Sequence, residues 1–229
     1  MRIGILAHSF SGAFEIYKVI AGPSRCQAFV ILVTPPHRRP WVHWMINLGQ
    51  LIAVGLKSLD VRPLKLARTK SLIFLWRPLD DPDSVARLTR LNLDVGLHKT
   101  GIIYRDSTIN AFRLGILNHH IGILPEYRGR SVLEWSLIQG DSTGITVFFV
   151  DTGIDTGSRI LIRHNVDISN YHSVSEAKQY LFSLDAVFFR EALDLLNRSS
   201  HSFQVNDAKG HRYFVMSKLL SGVADQLLQ

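Results

Sequence analysis

Apolar and polar residues fall in blocks along this chain. Short apolar runs occupy 2–7 (RIGILA), 27–33 (QAFVILV), 71–76 (SLIFLW), 93–97 (LDVGL) and 114–118 (LGILN). Runs of this length, bounded by turn residues such as Thr34-Pro35-Pro36, predict strands covered on both faces. A small-polar loop, His8-Ser9-Phe10-Ser11-Gly12, leads to a helical stretch ending near Ile20. The segment Asp80 to Leu91 has helical spacing, with Asp80, Asp81 and Asp83 at its start, where the helix dipole favours negative charge. Strand and helix in alternation predict an α/β fold: an open, mainly parallel, twisted sheet with helices on both faces. Ligands in such sheets lie beyond the carboxyl ends of the strands, so the loops after Ala7, Leu97 and Leu117 are where chemistry is expected.

Two more strand-like runs follow at 144–150 (GITVFFV) and 159–163 (RILIR). Residues 173–197 read as one helix, since Val174, Ala177, Leu181, Leu184, Val187, Phe188, Ala192 and Leu195 form one apolar stripe. A short tail, 201–229, closes the chain. There is no internal repeat, low-complexity segment or linker. The simplest organisation is an α/β domain over 1–165, with 166–229 as a C-terminal helix and closing strand packed on it. Residues 41–59 (WVHWMINLGQLIAVGLKSL) are apolar but interrupted by His43, Asn47, Gln50 and Lys57, which argues against a spanning helix. They read as a packed helix, or as an interfacial one because Trp41 and Trp44 follow Arg38 and Arg39.

Composition narrows the picture. The 229 residues carry 26 Lys+Arg against 19 Asp+Glu, a net charge of +7, which favours anionic ligands or surfaces without choosing among them. Hydrophobic residues at 46% exclude a disordered chain. The single cysteine, Cys26, excludes an internal disulfide and a cysteine metal cluster. The first apolar run is too short for a signal peptide core, and the expected location is the cytoplasm.

Three polar clusters stand out: Asn118-His119-His120 at a strand end, the turn Ile123 to Arg130, and the loop Val150 to Gly157. Glycines flank Asp155 there and predict a tight, exposed bend. An Asn amide can donate to a developing oxyanion. A His can do the same or move a proton near neutral pH. A carboxylate can hold that His charged or take a proton from an attacking amine. Without a strong covalent nucleophile, the set suits direct attack of a bound amine on an activated acyl group. A metal held by the histidines with Asp155 is the other reading, but adjacent strand residues face opposite ways, and no metal is expected. Each residue alone also has an ordinary structural role as an alternative.

The run Asn118-x-His120-x-x-Ile123-Leu124-Pro125-x-Tyr127-Arg128-Gly129 resembles the N-x-H-x-S-L-L-P-x-F/Y-K/R-G signature of the 10-formyltetrahydrofolate-dependent formyltransferases. Gly140-Asp141-x-x-Gly144-Ile145-Thr146-Val147 is similar to that family's G-x-x-x-T-G-x-T-V/I stretch. Val150-Asp151-x-Gly153-Ile154-Asp155-Thr156-Gly157 is similar to its V-D-x-G-x-D-T-G loop. All three occur in the family's order, within residues 93–163. Gly210 to Met216 is similar to a closing strand of some members. The resemblance implies catalytic roles for Asn118, His120 and Asp155. Asn118 and His120 would hold the oxyanion at the formyl carbon. Asp155 would keep His120 charged and accept the amine proton, directly or through water. It also implies 10-formyltetrahydrofolate as donor, its pterin against Gly101, Ile102, Ile103 and Tyr104 on one side and Thr152, Gly153 and Ile154 on the other. Ordinary core is the alternative for Ile102 and Ile103.

Departures from the family pattern narrow the acceptor. Ile121-Gly122 replace the usual Pro-Ser after the His. The G-x-G-S-N-type phosphate loop of the glycinamide ribonucleotide enzymes is replaced by Ser9-Phe10-Ser11-Gly12-Ala13, which argues against a phosphoribosyl amine. Methionyl-tRNA formyltransferases carry a C-terminal barrel domain larger than the 66 residues after Arg163, which argues against tRNA. Formyltetrahydrofolate deformylases carry an N-terminal regulatory domain, whereas the first strand here starts at Arg2. The expected acceptor is therefore the primary amine of a small metabolite, a nucleotide-linked amino sugar being one candidate, with no nucleic acid partner. Water as acceptor, making a hydrolase, is the alternative within the same site. A non-catalytic folate-binding module, or one associated with a membrane through 41–59, is the alternative outside catalysis.

Overall fold

The computed structural model describes residues 1–21, 26–35, 38–58, 60–198, 202–207 and 209–229. Pro36 of the predicted turn, Leu59 at the predicted helix end and His201 at the start of the predicted tail lie outside them. The chain forms two compact units, Met1–Leu117 and Asn118–Gln229. The fold is mixed α/β, with a large central sheet flanked by helices.

The first unit runs β1 (Arg2–Ala7), α1 (Phe10–Ile20), β2 (Gln27–Val33), α2 (Pro40–Ser58), α3 (Arg62–Arg68), β3 (Leu72–Leu75), α4 (Pro82–Arg90), β4 (Leu93–Lys99), α5 (Asp106–Ile109) and most of β5 (Phe112–His120). Its strand order is β3-β2-β1-β4-β5, with these strands paired parallel. The apolar runs fill its centre: Ile3, Ile5, Leu6, Val30, Ile31, Val95 and Leu97 are fully buried. Caps set the helix starts. Ser9 accepts from the Gly12 amide ahead of α1, and Asp81 accepts from the Asp83 amide ahead of α4, with Pro82 at its first position. From β1 the chain builds outward through β2 and β3, then returns to place β4 on the other side of β1. The carboxyl ends of β1 and β4 therefore form a topological switch point, the usual crevice for a ligand. His8–Ser9 and Thr100–Tyr104 follow those two ends.

The second unit holds the end of β5, then β6 (Tyr127–Gly129), α6 (Val132–Gln139), β7 (Gly144–Phe149), β8 (Arg159–Asn165), α7 (Val174–Ser183), α8 (Asp185–Leu196), β9 (Gln204–Val205), β10 (His211–Tyr213) and α9 (Lys218–Gln226). Strands β7, β8 and β9 pair antiparallel. Three expectations change here. The predicted helix 173–197 is two helices meeting at Leu184, because Asp185 turns its carboxylate inward onto His119 at 2.7 Å rather than continuing a solvent-facing stripe. The predicted closing strand is β10, but it pairs parallel with β6 in a separate two-stranded sheet, and β9 takes the place beside β8. The tail also contains a helix, α9, capped by Ser217, where no element was expected.

Candidate active site

Strand β5 runs past its predicted end at Asn118 and carries His119 and His120 on its last positions. Its alternation sends the two rings to different surroundings. His119 packs beside the rings of Phe188 and Phe189 and meets Asp185. His120 faces the loop that follows β7. Its Nε2 lies 2.7 Å from the Tyr127 carbonyl, and its Nδ1 lies 3.6 Å from Asp155 Oδ2. The Tyr127 carbonyl can only accept, so Nε2 carries an N–H and donates to it. Asn118 Nδ2 lies 3.5 Å from Asp155 Oδ1. The three residues picked out from sequence thus converge on one carboxylate.

Asp155 is held from three sides. Its own backbone is left-handed, with φ of +53°. Its Oδ2 accepts from the Gly129 amide at 2.9 Å, and its carbonyl accepts from Asn206 Nδ2 at 3.2 Å. Asn206 also donates to the Gly157 carbonyl at 3.0 Å. Asp151 closes the loop start by accepting from the Gly153 amide and the Thr156 hydroxyl at 2.9 and 2.7 Å. Two glycines are sterically required. Gly129 has φ of +100°, and a Cβ there would lie 2.2 Å from the Tyr213 carbonyl oxygen. A Cβ on Gly157 would lie 1.7 Å from the Phe149 carbonyl oxygen. The bend is tight, as expected, but not exposed: the Asp155 side chain is only 13% accessible and that of His120 8%. Anchoring by Gly129 draws the carboxylate inward.

The turn after His120 is pinned from β7. Buried Thr146 donates to the Gly122 carbonyl at 2.7 Å and accepts from the Leu124 amide at 3.1 Å. Tyr127 stacks on Tyr213, donates its single proton to Asp141 and lies 2.6 Å from Gln139 Oε1. Burial and the neighbouring Asp141 carboxylate push its phenol well above the usual range. Gly129, Asp151 and Thr146 all lie within the stretches quoted from sequence, yet their roles as anchors are visible only in three dimensions. Asn206 lies outside them and left no signal.

The proposed donor residues divide between the two units. In the first, Gly101–Tyr104 follow β4 at the switch point. Ile103 is 57% exposed and Gly101 has open space where a Cβ would stand, so the core alternative for Ile103 does not hold. Tyr104 is buried, with its hydroxyl on His98 Nδ1 and Thr100, and burial raises its pKa strongly. It props the loop rather than offering its side chain. In the second unit, Thr152 and Gly153 are exposed and Ile154 is half-buried. Apolar side chains exposed beside backbone suit a flat heterocycle. Among the described residues, no group of three His, Cys, Asp or Glu side chains is placed to hold a metal ion.

The amides at the start of α1 are already occupied. Phe10 N donates to Asn47 Oδ1 at 2.6 Å, Ser11 N to Gln50 Oε1 at 3.1 Å and Gly12 N to Ser9 Oγ at 3.3 Å. Side chains of α2 thus stand where a phosphate would bind a helix N-terminus. The second unit also holds a cavity of about 510 Å³, lined by Trp135, Gln139, His211, Arg212, Tyr213 and Phe214.

A parallel switch-point sheet followed by an Asn–His–Asp cluster defines the class: an α/β protein with a polar cluster at a strand end. Residues 74–193, just over half of the chain, match the family model described as Formyl transferase, and the chain belongs to that family. Methionyl-tRNA formyltransferase of Geobacter sulfurreducens is 31% identical over 210 residues, covering 86% of this chain and 66% of its own. The chain spans between about half and two thirds of the length of the curated relatives it matches. A sugar N-formyltransferase from Shewanella sp FDAARGOS_354 superposes with a TM-score of 0.67 at 15% identity, covering 100% of this chain and 87% of that one. The formyltransferase PseJ from Anoxybacillus kamchatkensis, solved with UDP-4,6-dideoxy-4-formamido-L-AltNAc and tetrahydrofolate, superposes with a TM-score of 0.56 at 15% identity, covering 93% and 85%.

Proposed function

We propose that this protein is an N-formyltransferase that moves the formyl group of 10-formyltetrahydrofolate to the primary amine of a small metabolite in the cytoplasm. The convergence of Asn118 and His120 on Asp155 carries this reading. The amine nitrogen attacks the formyl carbon, and the carbonyl electron pair moves onto oxygen. The Asn118 amide and the His120 imidazolium donate to that oxyanion. The 3.6 Å between His120 Nδ1 and Asp155 exceeds a direct hydrogen bond and leaves the Nδ1–H donor open to a third oxygen. Asp155 takes the amine proton, directly or through water. The bond from the formyl carbon to the donor nitrogen then breaks, and that nitrogen leaves with a proton.

In the second unit, exposed Thr152 and Gly153 and half-buried Ile154, just before Asp155, support the donor reading. For the acceptor, the occupied amides at the start of α1 disfavour a phosphate bound there. The cavity around Trp135 and Tyr213 favours an acceptor that carries a flat ring. It adjoins β6, whose last residue anchors Asp155, and Arg212 sits at its edge for an anionic group. A nucleotide-linked amino sugar has both features. Water and the aminoacyl group of a tRNA are the competing acceptors, the latter because of the methionyl-tRNA relatives.

Asp155→Asn keeps size and fold but cannot take a proton. Turnover with 10-formyltetrahydrofolate and the acceptor is expected to fall by about 10²- to 10⁴-fold, with binding of 5-formyltetrahydrofolate retained in calorimetry. A variant with near-normal turnover removes Asp155 from the reaction. Formate release at full rate without any amine makes the protein a hydrolase instead.

A further inference from the structure

Helix α2 is amphipathic with its faces reversed. Trp41, Trp44, Met45, Leu48, Ile52 and Leu56 recur at helical spacing along one stripe, and all are exposed, Leu56 by 73%. The opposite side carries His43, Asn47 and Gln50. His43 and Asn47 are buried, and Asn47 and Gln50 take the first amides of α1. Val61 and Leu64, at α3, extend the exposed apolar surface. Its margin is basic. Arg38 and Arg39 precede the helix, and Arg62, Lys65, Arg68 and Lys70 follow, all exposed. Asp60, the one acid between residues 38 and 70, is bound to Arg62 at 2.7 Å.

We propose that α2 docks this protein on a bilayer surface rich in anionic lipids, its apolar stripe lying in the plane between headgroups and acyl chains. A tryptophan pair beside two arginines is what such a boundary holds. The helix does not cross: no helix among the described residues is long and apolar enough to do so. A second copy of this chain fits the face poorly, since a two-fold contact brings one basic margin against the other. Nucleic acid fits poorly too, since its phosphates match the margin but leave the apolar stripe without a partner. Because the buried side of α2 holds the amides of Phe10 and Ser11, docking places the loop after β1 near the lipid surface. This inference does not depend on the formyl-transfer reading.

The test is co-sedimentation of the full chain with phosphatidylcholine vesicles, with and without phosphatidylglycerol, together with tryptophan emission. Wild-type protein is expected to pellet only with the anionic vesicles, less so at high salt, with a blue shift. Arg38→Ala/Arg39→Ala is expected to bind about thirtyfold more weakly, about fivefold per arginine. Trp41→Ser/Trp44→Ser is expected to lose both the pelleting and the shift. All four residues are exposed or flank the helix, and matching melting curves show that the variants fold. Wild-type protein that stays in the supernatant overturns the proposal, as do variants that bind like wild type. A dimer in sedimentation velocity that Leu48→Glu splits assigns the face to a second copy and also overturns it.

Discussion

The Asp155 loop and helix α2 solve opposite problems. In the loop, the Asp155 carboxylate proposed for the chemistry is drawn inward and fixed by the Gly129 amide, His120 and Asn118. In α2, His43 and Asn47 are turned inward, and Trp41, Trp44, Met45, Leu48, Ile52 and Leu56 are left outside. Both bury polar atoms, and both do so with partners supplied. The difference lies in what remains exposed. The loop exposes Asp151, Thr152 and Gly153, none of them apolar and large, whereas the helix leaves an apolar stripe of the kind that monomeric proteins seldom show without a use for it.

The largest effect is expected from Gly129→Ala. The added Cβ meets the Tyr213 carbonyl at 2.2 Å in a left-handed backbone, and the amide below it anchors Asp155. Destabilisation of about 3 kcal/mol or more is expected, together with lost turnover. A melting temperature near that of wild type refutes the β6–β10 constraint. Next come two adjacent residues of α2. Asn47→Ala leaves the buried Phe10 amide without its partner and is expected to cost about 2–3 kcal/mol. Leu48→Ala removes an exposed apolar side chain and is expected to stay within about 0.5 kcal/mol. Chemical denaturation of both tests the reversal directly. If the leucine proves the costlier of the two, the faces of α2 are assigned wrongly.

This contrast also shows what was legible beforehand. The strand blocks read correctly because a buried strand leaves few other arrangements, and the polar clusters stand out in sequence as dense runs of Asn, His, Asp and Gly. Residues 41–59 read as a packed or an interfacial helix, but their sequence does not say which side is covered. That depends on Asn47 and Gln50 finding amides at the start of α1, 37 and 39 residues away in the chain. Asn206, which steadies the Asp155 loop from beside β9, was invisible for the same reason. The split at Leu184 was hidden because the stripe continues across it, and Asp185 betrays its burial only once His119 is beside it.

A smaller effect separates the two kinds of threonine near the site. Thr146→Val keeps shape but removes the hydrogen bonds to Gly122 and Leu124, both buried. About 1–3 kcal/mol of stability is expected to go, and turnover with it, since that turn follows His120. Thr152→Val, on an exposed position, is expected to leave stability within about 0.5 kcal/mol and to act only on donor binding. Comparing melting with 5-formyltetrahydrofolate titration distinguishes the two. A large stability loss at Thr152 breaks the assignment of that residue to a ligand face.

The smallest effect is a pH dependence belonging to α2. Burial pushes the His43 imidazole below its usual 6.5, and the positive groups His8 and Arg38 push it the same way, against the Val33 carbonyl. Asn47 Nδ2 lies 3.3 Å from the ring, which suits a neutral ring accepting from it, and Phe74 packs on the ring at 5.3 Å. The folded protein therefore refuses a proton that the unfolded chain accepts. The neutral ring's contribution is intact above pH 6.5. It declines as pH falls below that value and is fully lost below the folded pKa. His43→Gln has no such proton to refuse. Its stability difference from wild type, measured by melting between about pH 5 and 8, is expected to shrink as the pH falls. Parallel curves for the two proteins show that His43 does not sense pH and that the polar side of α2 is wetter than its burial implies.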